Sequence, residues 1–244
     1  RPNNWQYPIN TFIGTATINM YGGSVTEMYG GCLGRNMSAI GGSSYNPIKC
    51  DSYFYGIVNI NISGGTVSQT IYGAGAGGVS GYSTNSTDAY KSYGQNIDTV
   101  ININITGGLI DADIYGGGYG YTNYLTADST QTDGGTLYGN SNINISGSPT
   151  INGSIYGAGM GLTNYENMAK FTGTTNININ TDLSINAYGG GNIAKTIGTA
   201  NININSGTHT QSIFGGGNVG VLEGTSNVQI NGGISSQVYG GGNQ

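Results

Sequence analysis

The sequence predicts an all-β fold, a parallel β-solenoid (β-helix) of about seven coils, and three observations carry that prediction. A phrase such as VNINISGGTVSQTIYGAGAGG, residues 58–78, returns with variations along the chain. Ile or Val alternates with Asn inside each phrase, which is the pattern of a half-buried strand. A glycine run closes each phrase, and glycine accounts for 47 of the 244 residues. Self-similarity at a recurring spacing is the signature of a repeat architecture.

The coils are defined by one central apolar residue in each phrase. Seven phrases align on this residue, namely Ile18, Ile60, Ile103, Ile143, Ile177, Ile202 and Val228. The last three of these residues lie 25 and 26 positions apart, which defines the minimal coil. Earlier phrases are spaced more widely because extra residues follow the glycine run, at 31–55, 77–97, 118–139 and 159–173. We therefore expect a solenoid over residues 16–244, with loop insertions at one corner of the first four coils.

Each coil is expected to run strand, tight turn, second strand and glycine bend. Ile60 points inward in the first strand, so Asn59 and Asn61 point outward, because side chains alternate along a strand. The second strand places both Val67 and Ile71 inward only with a local bend. A unit of about 25 residues cannot bury its apolar face alone, so coils are expected to stack at roughly 4.8 Å per layer.

Two columns of outward Asn residues are expected along the solenoid. One contains Asn59, Asn102, Asn142, Asn176, Asn201 and Asn227, and the other contains Asn19, Asn61, Asn104, Asn144, Asn178 and Asn203. Stacked amides of this kind can simply bond to one another as a ladder. Their flat, regular array also suits assembly with another subunit, or binding to ice or a crystalline polysaccharide.

An aromatic column precedes the glycine bend of every coil. It contains Tyr29, Tyr72, Tyr115, Tyr156, Tyr188, Phe214 and Tyr239. The rings are expected either to pack as an aromatic ladder or to form a sugar-binding strip. Phe214 occupies one place in this column and has no hydroxyl, which favours an aromatic ladder over a sugar-binding strip. Asn192, Asn218 and Asn243 follow the last three glycine runs and are expected to form a further polar ladder.

The two ends of the chain depart from the repeat in different ways. Residues 1–15 bring Trp5, Tyr7 and Phe12 together with two prolines, which predicts an N-terminal cap that covers the first coil. Gln244 directly follows a complete YGGGN phrase. We therefore expect either further chain or another molecule to stack on the last coil.

Cys32 and Cys50 flank the first insertion, and a disulfide between them is the simplest interpretation. Such a bond would contribute about 3 kcal/mol through loop entropy. Two free thiols or links between chains are the alternatives. An even pair of cysteines in a chain rich in Ser, Asn and Tyr favours an exported, oxidising location. Asn36 and Asn85, which lie in sequons within insertions, are the candidate glycosylation sites.

No catalytic, cofactor-binding or metal-binding residues are predicted. The glycine runs lack the helix N-terminus, or the Lys with Ser or Thr, that a phosphate site needs. Asp111 and Asp113 face one side and suit either a single ion or glycan hydroxyl, or two solvated carboxylates. His209 has no nucleophilic partner and is expected at the surface. The chain is therefore expected not to be an enzyme.

Charge and hydropathy narrow the possible partners. Charged residues make up 7% of the chain, with 6 Lys and Arg against 11 Asp and Glu. So few cations cannot make the phosphate contacts that nucleic-acid binding requires. No apolar run reaches the roughly 18 residues of a membrane span.

The phrases INISGGT (residues 60–66) and IYGGG (residues 114–118) resemble the glycine-rich β-solenoid repeats of large exported microbial surface proteins, such as adhesins and extracellular fibre or sheath proteins. The resemblance covers nearly the whole chain, and no functional residue carries over from it. It implies an extracellular or cell-surface structural protein that self-associates into a fibre, sheath or layer. The alternatives are an adhesin that binds cell-surface glycans through its Tyr/Ser/Asn-rich insertions, and a protein that binds ice or a crystalline surface.

Overall fold

The structure is a computed structural model that describes residues 10–33, 35–37, 48–50, 52–76, 79–80, 99–120, 134–163 and 168–243. These residues form strands, turns and bends, with no helix among them. The predicted all-β, parallel β-solenoid fold is confirmed.

The strands follow one another in seven coils. The first four coils and their insertions contain β1 (Asn10–Met20), β2 (Ser24–Val25), β3 (Met28–Tyr29), β4 (Arg35–Met37), β5 (Ile48–Cys50), β6 (Ser52–Ile62), β7 (Thr66–Val67), β8 (Ile71–Tyr72), β9 (Val79–Ser80), β10 (Thr99–Ile105), β11 (Leu109–Ile110), β12 (Ile114–Tyr115), β13 (Leu137–Ile145), β14 (Thr150–Ile151) and β15 (Ile155–Tyr156). The last three coils contain β16 (Phe171–Asn180), β17 (Ala187–Tyr188), β18 (Thr196–Ser206), β19 (Thr208–Phe214), β20 (Leu222–Ile230) and β21 (Ile234–Tyr239).

Three parallel sheets form the sides of the solenoid. The first sheet contains the long strands in the order β1-β6-β10-β13-β16-β18-β20, with β9 beside β6 and β13. The second sheet has the order β14-β11-β7-β2, and the third has the order β21-β19-β17-β15-β12-β8-β3. Each coil thus lies directly on the one before it, and insertions such as the antiparallel pair β4 and β5 do not interrupt the stack.

The strand register is the one that the sequence alignment predicts. In the first sheet the paired central residues are Ile18, Ile60, Ile103, Ile143, Ile177, Ile202 and Val228. The register is fixed because a slip of one residue would turn every inward Ile to the solvent and every Asn to the core.

The bend expected in the second strand divides that strand in two in the first four coils, whereas β19 and β21 are each one unbroken strand. In the second coil Val67 belongs to β7 and Ile71 belongs to β8, which lie in different sheets. Both side chains are fully buried. The coil is therefore triangular in section, with apolar residues from all three sheets in one continuous core.

The long strands begin earlier than the sequence alignment suggests. Asn10 pairs with Ser52, so residues 10–15 lie in the first sheet and not in a separate cap. Residues 52–55, 137–139 and 171–173, which the sequence alignment places in insertions, also lie in long strands. The remaining cap residues, 1–9, lie outside the described residues.

A glycine column allows this longer strand. Gly173 has φ +141°, and a methyl group at this position would overlap the carbonyl oxygen of Gly139 in the coil below. Gly139 has the same φ of +141° and pairs directly with Gly173. Backbone in this region is open to glycine and closed to other residues. The strand can therefore turn at the same place in successive coils.

The predicted disulfide is wrong for this structure. Cys32 is a free cysteine, and its thiol lies 3.6 Å from the carbonyl oxygen of Tyr53, to which it donates. Cys50 ends β5, where its backbone pairs with Arg35, and its side chain lies outside the described part of the chain. The thiol of Cys32 is directed at the first sheet, because its hydrogen-bond acceptor belongs to β6.

Candidate functional site

Side-chain amides join the long strands in a continuous column, which we call the first Asn ladder. The Nδ2 atom of Asn102 donates to Oδ1 of Asn59 at 3.0 Å, and Asn142 donates to Asn102 at 3.0 Å. The same bond recurs at 2.9 Å for Asn176, Asn201 and Asn227. The column begins at Thr17, whose hydroxyl accepts a 3.4 Å bond from Asn59. The predicted asparagine ladder is confirmed.

A second Asn ladder runs parallel to the first, two residues further along each strand. Asn61 donates to Asn19 at 2.9 Å, and bonds of 2.8–2.9 Å continue through Asn104, Asn144, Asn178 and Asn203. Gln229 takes this place in the last coil and donates instead to Asn231 at 2.8 Å. The second ladder therefore ends one coil before the first.

The two ladders lie on the outer face of the first sheet. An Asn amide has two N–H donors and two carbonyl lone pairs, and the ladder uses one of each. The remaining donor and lone pair of each interior amide are left for contacts across the face, at the strand spacing of about 4.8 Å. A column of threonines, Thr174, Thr199 and Thr225, lies beside the first ladder. We did not predict this threonine column, although the recurring Gly-Thr-X-Asn phrase signals it.

The aromatic column forms one stack of seven rings on the third sheet. Neighbouring ring centroids lie 4.7–5.3 Å apart, and neighbouring rings are inclined by 4–13°. Phe214 stacks between Tyr188 and Tyr239 at 4.9 and 4.8 Å. Stacking of the rings therefore does not require the hydroxyl group.

The interior of the ring stack is covered by the segments that follow three of the glycine runs. Each ring comes directly after an inward apolar residue, which is Ile in four of the seven coils, so it points away from the main core and packs in a cluster of its own. Tyr119 stacks on Tyr72 at 5.2 Å, and the hydroxyl of Tyr72 lies 3.4 Å from the sulfur of Met160. Asn192 donates to the hydroxyl of Tyr115 at 3.2 Å. The interior rings are thus buried and do not form an open strip for a sugar.

Burial keeps these tyrosines neutral. Burial, together with the negative charge of Asp113, raises the pKa of Tyr156 to about 12. Burial also raises the pKa of Tyr72 and Tyr115. At neutral pH these hydroxyls are therefore protonated and can act as hydrogen-bond donors and acceptors.

Asp111 and Asp113 tie the third coil to the fourth. Asp113 accepts a 2.7 Å bond from the backbone N–H of Ser154 and a 3.0 Å bond from the hydroxyl of Tyr115. Asp111 accepts a 2.7 Å bond from the side chain of Asn152. Both carboxylates therefore have partners in the protein, which supports a structural role.

A corner ladder forms from the three Asn residues that follow glycine runs. Asn218 donates to Asn192 at 2.9 Å, and Asn243 donates to Asn218 at 2.8 Å. Their backbone N–H groups also bond to the preceding coil, for example that of Asn218 to the carbonyl of Gly191 at 3.0 Å. This ladder holds the bend after each glycine run in register.

The expectation that His209 lies at the surface is wrong. Only 1% of its side chain is exposed, and its Nε2 atom lies 3.1 Å from the carbonyl oxygen of Ser206. His209 forms a parallel bridge with Leu183, so it takes the inward position that Leu183 holds in the coil below. Its Nδ1 atom is buried without a hydrogen-bond partner. The inward position of His209 thus follows from the packing of the coil and not from the polarity of its side chain.

The insertions leave the solenoid at one corner, side by side. Ala76, Tyr119 and Met160 follow three successive glycine runs and are joined by parallel bridges between neighbouring coils. The candidate glycosylation residue Asn85 lies outside the described residues. The backbone of Asn36 pairs with Lys49 in β4 and β5, and its side chain is not described.

The described residues contain no group of three or more His, Cys, Asp or Glu that could hold a metal ion. Within the same residues no helix is long and apolar enough to cross a membrane. No protein family model, curated protein or solved structure matches the chain. The ladders, the ring stack and the insertion corner are therefore the features on which a function can be proposed.

Proposed function

We propose that the chain is an extracellular structural protein, a subunit or part of a surface fibre, sheath or layer that forms by self-association. One observation carries the proposal: the contacts between coils do not depend on the length of chain that joins them. The amides of Asn176 and Asn201 bond at 2.9 Å across 25 residues, and those of Asn59 and Asn102 bond at 3.0 Å across 43. A coil of a separate molecule can make the same contacts.

The distribution of charge also supports self-association. Soluble sheet proteins commonly place charged residues on exposed edges to prevent pairing between molecules. In β20 the only charged residue is Glu223, and it forms a 2.6 Å ion pair with Lys195 of the coil below. β21 has no charged residue. Little electrostatic repulsion therefore opposes the approach of another strand.

The location outside the cell rests on different grounds. The repeated phrase resembles those of exported surface proteins, and the chain is rich in Ser, Asn and Tyr and poor in charge. Such a composition suits a protein that is packed among copies of itself. Immunogold labelling of intact cells with an antibody to the chain would test this part of the proposal directly.

Sedimentation velocity and electron microscopy at increasing concentration test self-association itself. We expect elongated assemblies that persist from low to high salt, because uncharged ladders are little affected by ionic screening. Monodisperse monomers at high protein concentration would contradict the proposal.

A second candidate is an adhesin or glycan-binding module, and the shared insertion corner favours it. Loops on a rigid scaffold are where binding residues usually lie, and Ala76, Tyr119 and Met160, each of which comes shortly before an insertion, lie next to one another. Replacing residues 81–98 and 121–133 by short Gly-Ser linkers leaves the two long strands that follow them, β10 and β13, intact. Loss of binding on a glycan array with an unchanged circular dichroism spectrum would support this function, and unchanged binding would remove it.

A further inference from the structure

The outer face of the first sheet carries no charged residue between the glycine column and the end of each long strand. We call this surface the amide face, and it is formed by residues 15–20, 57–62, 100–105, 140–145, 174–180, 199–206 and 225–230. Its outward side chains are the two Asn ladders and the neighbouring column that includes Thr174 and Thr199. None of these side chains titrates near neutral pH, so the face stays uncharged.

The charged residues that the structure describes lie on other parts of the solenoid. Lys195 and Glu223 form an ion pair before the glycine column, near the start of two long strands. Asp111 and Asp113 lie between the second and third sheets, and Asp182 lies in the chain between β16 and β17. Solvent-facing surfaces usually carry charge, whereas the centres of protein interfaces are depleted of it. The distribution of charge therefore favours an amide face that another molecule covers.

Each interior amide of this face uses only half of its bonding capacity within the ladder. Asn102 donates one N–H to Asn59 and accepts one bond from Asn142, both at 3.0 Å. An Asn side chain has two N–H donors and two carbonyl lone pairs, so one of each remains. The side chain is half-buried in a strand whose inward residues are fully buried. Every interior coil thus presents a donor and an acceptor in the same column, which is a self-complementary pattern.

The remaining donors and acceptors recur at the spacing of the strands, which is about 4.8 Å. A second copy of the chain has the same spacing, so a bond formed at one coil can be repeated at the next. This match holds whichever way the second copy points along the solenoid axis. Asn ladders and interdigitated side chains form dry interfaces of this kind between paired sheets of identical chains.

The amide face is large enough for a stable contact. Its seven long strands, at about 4.8 Å each, extend about 34 Å along the axis, and residues 174–180, at about 3.3 Å each, extend about 23 Å across it. These dimensions give an area of about 780 Å². A specific interface of standard size covers about 800 Å² on each partner. Two amide faces in contact therefore bury as much surface as a stable dimer needs.

Apolar side chains border the ladders on the same face. Ile57 is 42% exposed although its strand, β6, lies between β1 and β10. Val100 pairs with Ile57 and also points outward. A molecule that covers the amide face removes these side chains from water, which favours association.

We propose that the amide face binds the amide face of a second copy of the chain, so that two solenoids lie side by side with their Asn ladders in contact. This inference rests on the proposed self-association and adds a lateral surface to it. Because both molecules use the same surface, the contact closes as a dimer. Stacking of coils then lengthens the assembly, and the amide face sets its width at two solenoids.

Thr199→Lys tests the contact without removing a ladder bond. Thr199 lies outward in β18 and is half-buried, so a Lys side chain at this position reaches solvent in the monomer. In the dimer its ammonium group is buried without a partner, which is costly. Thr150→Lys is the matched control, since Thr150 is exposed in the second sheet. If circular dichroism shows that Thr199→Lys is unfolded, Thr174→Lys in the coil below replaces it.

Sedimentation equilibrium at low concentration measures the dimer, and electron microscopy at high concentration measures the width of the filaments. We expect the parent and Thr150→Lys to dimerise equally, and the dissociation constant of Thr199→Lys to rise at least about 100-fold. Filaments of the parent and Thr150→Lys should be two solenoids wide, and those of Thr199→Lys should be one solenoid wide.

The other outcomes separate this inference from the proposed function. If Thr199→Lys assembles as the parent does, pairing of the amide faces is overturned and self-association is left intact. Parent dimers that never lengthen would support face pairing and contradict the proposed fibre. A parent chain that stays monomeric at every concentration contradicts both. Cosedimentation of such a monomer with insoluble cellulose or chitin, lost in Thr199→Lys, would assign the face to a neutral polysaccharide instead.

Discussion

Asn176 donates its side-chain amide to Asn142 at 2.9 Å, although 34 residues separate them in the sequence. The next bond of the ladder, from Asn201 to Asn176, has the same length across only 25 residues. The solenoid therefore accommodates insertions of different length without any change in how the coils contact each other. The bonds of the ladder are made by the coils themselves, whatever the length of the chain between them.

Replacing one interior amide of a ladder by a carboxylate should weaken the fold. Asn142→Asp keeps the shape of the side chain but loses the donor that bonds to Asn102. It also places a negative charge against an acceptor in a half-buried site. We expect the free energy of unfolding at neutral pH to fall by about 1–3 kcal/mol, as measured by urea denaturation.

The same variant should recover stability in acid. Half burial and the facing carbonyl of Asn102 favour the protonated carboxyl, so its pKa in the folded state should exceed the ordinary value of about 3.9. The protonated form can donate to Asn102, so this stability is present below the unfolded pKa and lost as the pH rises through the folded pKa. Asn227→Asp, in the exposed last coil, is the control. Its free energy of unfolding should depend less on pH. If Asn142→Asp lowers the free energy of unfolding by the same amount at neutral and at acid pH, the ladder bond is contradicted.

Removing a ring from the stack should cost much more than removing its hydroxyl. Tyr188 stacks on Tyr156 and Phe214, both at 4.9 Å. Because Phe214 already occupies one place in the stack, we expect Tyr188→Phe to change the unfolding free energy by less than about 0.5 kcal/mol. Tyr188→Ala should lower it by about 3–5 kcal/mol. Similar effects of the two substitutions in thermal or urea denaturation would argue against ring stacking as the stabilising contact.

The stack also predicts a loss of stability in alkali. The pKa of Tyr156 is raised to about 12 in the folded chain from an ordinary value near 10, because the ring is buried. Between these two values the unfolded chain loses protons that the folded chain keeps, so stability falls as the pH rises above about 10. Absorbance of phenolate near 295 nm should show exposed tyrosines titrating first and the buried ones only as the fold is lost. A single titration of all tyrosines near pH 10 would contradict burial of the rings.

The glycine column should not tolerate a side chain. Gly173→Ala places a Cβ atom against the carbonyl of Gly139, at a φ of +141°. We expect a loss of about 1–3 kcal/mol in unfolding free energy from the backbone conformation alone. Gly240→Ala is the matched control, since nothing lies within 4 Å of its position. Equal stability of the two variants would show that the long strand does not turn at Gly173.

The free thiol of Cys32 predicts that stability is independent of reducing agent. Burial raises the pKa of this thiol, so it should react slowly with thiol reagents in the folded chain and rapidly after unfolding. The urea midpoint should be the same with and without dithiothreitol. A fall in the midpoint on reduction would show that a disulfide forms after all.

The fold could be predicted from the sequence because its periodic signals are local. Alternation around Ile60 fixed the inward and outward faces, and the spacing from Ile177 to Ile202 set the size of the coil. The start of the long strands was less visible, since the turn at Gly173 resembles a loop until its pairing with Gly139 is known. His209 was misplaced because its burial depends on a neighbour in another coil, Leu183, and not on its own polarity.

The ladders were predictable as columns, but their direction was not. Which amide donates depends on the orientation of each side chain, and the sequence is the same in either case. The cover over the ring stack was also missed, because Tyr119 and Met160 follow glycine runs that look like open loops. Contacts between segments that are distant in sequence are therefore the part of the structure that the sequence predicts least well.

Fibre diffraction from concentrated, oriented protein tests most directly whether the stack of coils continues from one molecule to the next. End-to-end stacking predicts elongated assemblies with a meridional spacing of about 4.8 Å along the long axis, the distance between strands in a sheet. Discrete short rods, with no such reflection at any concentration, would contradict it and would direct attention to what the insertions bind.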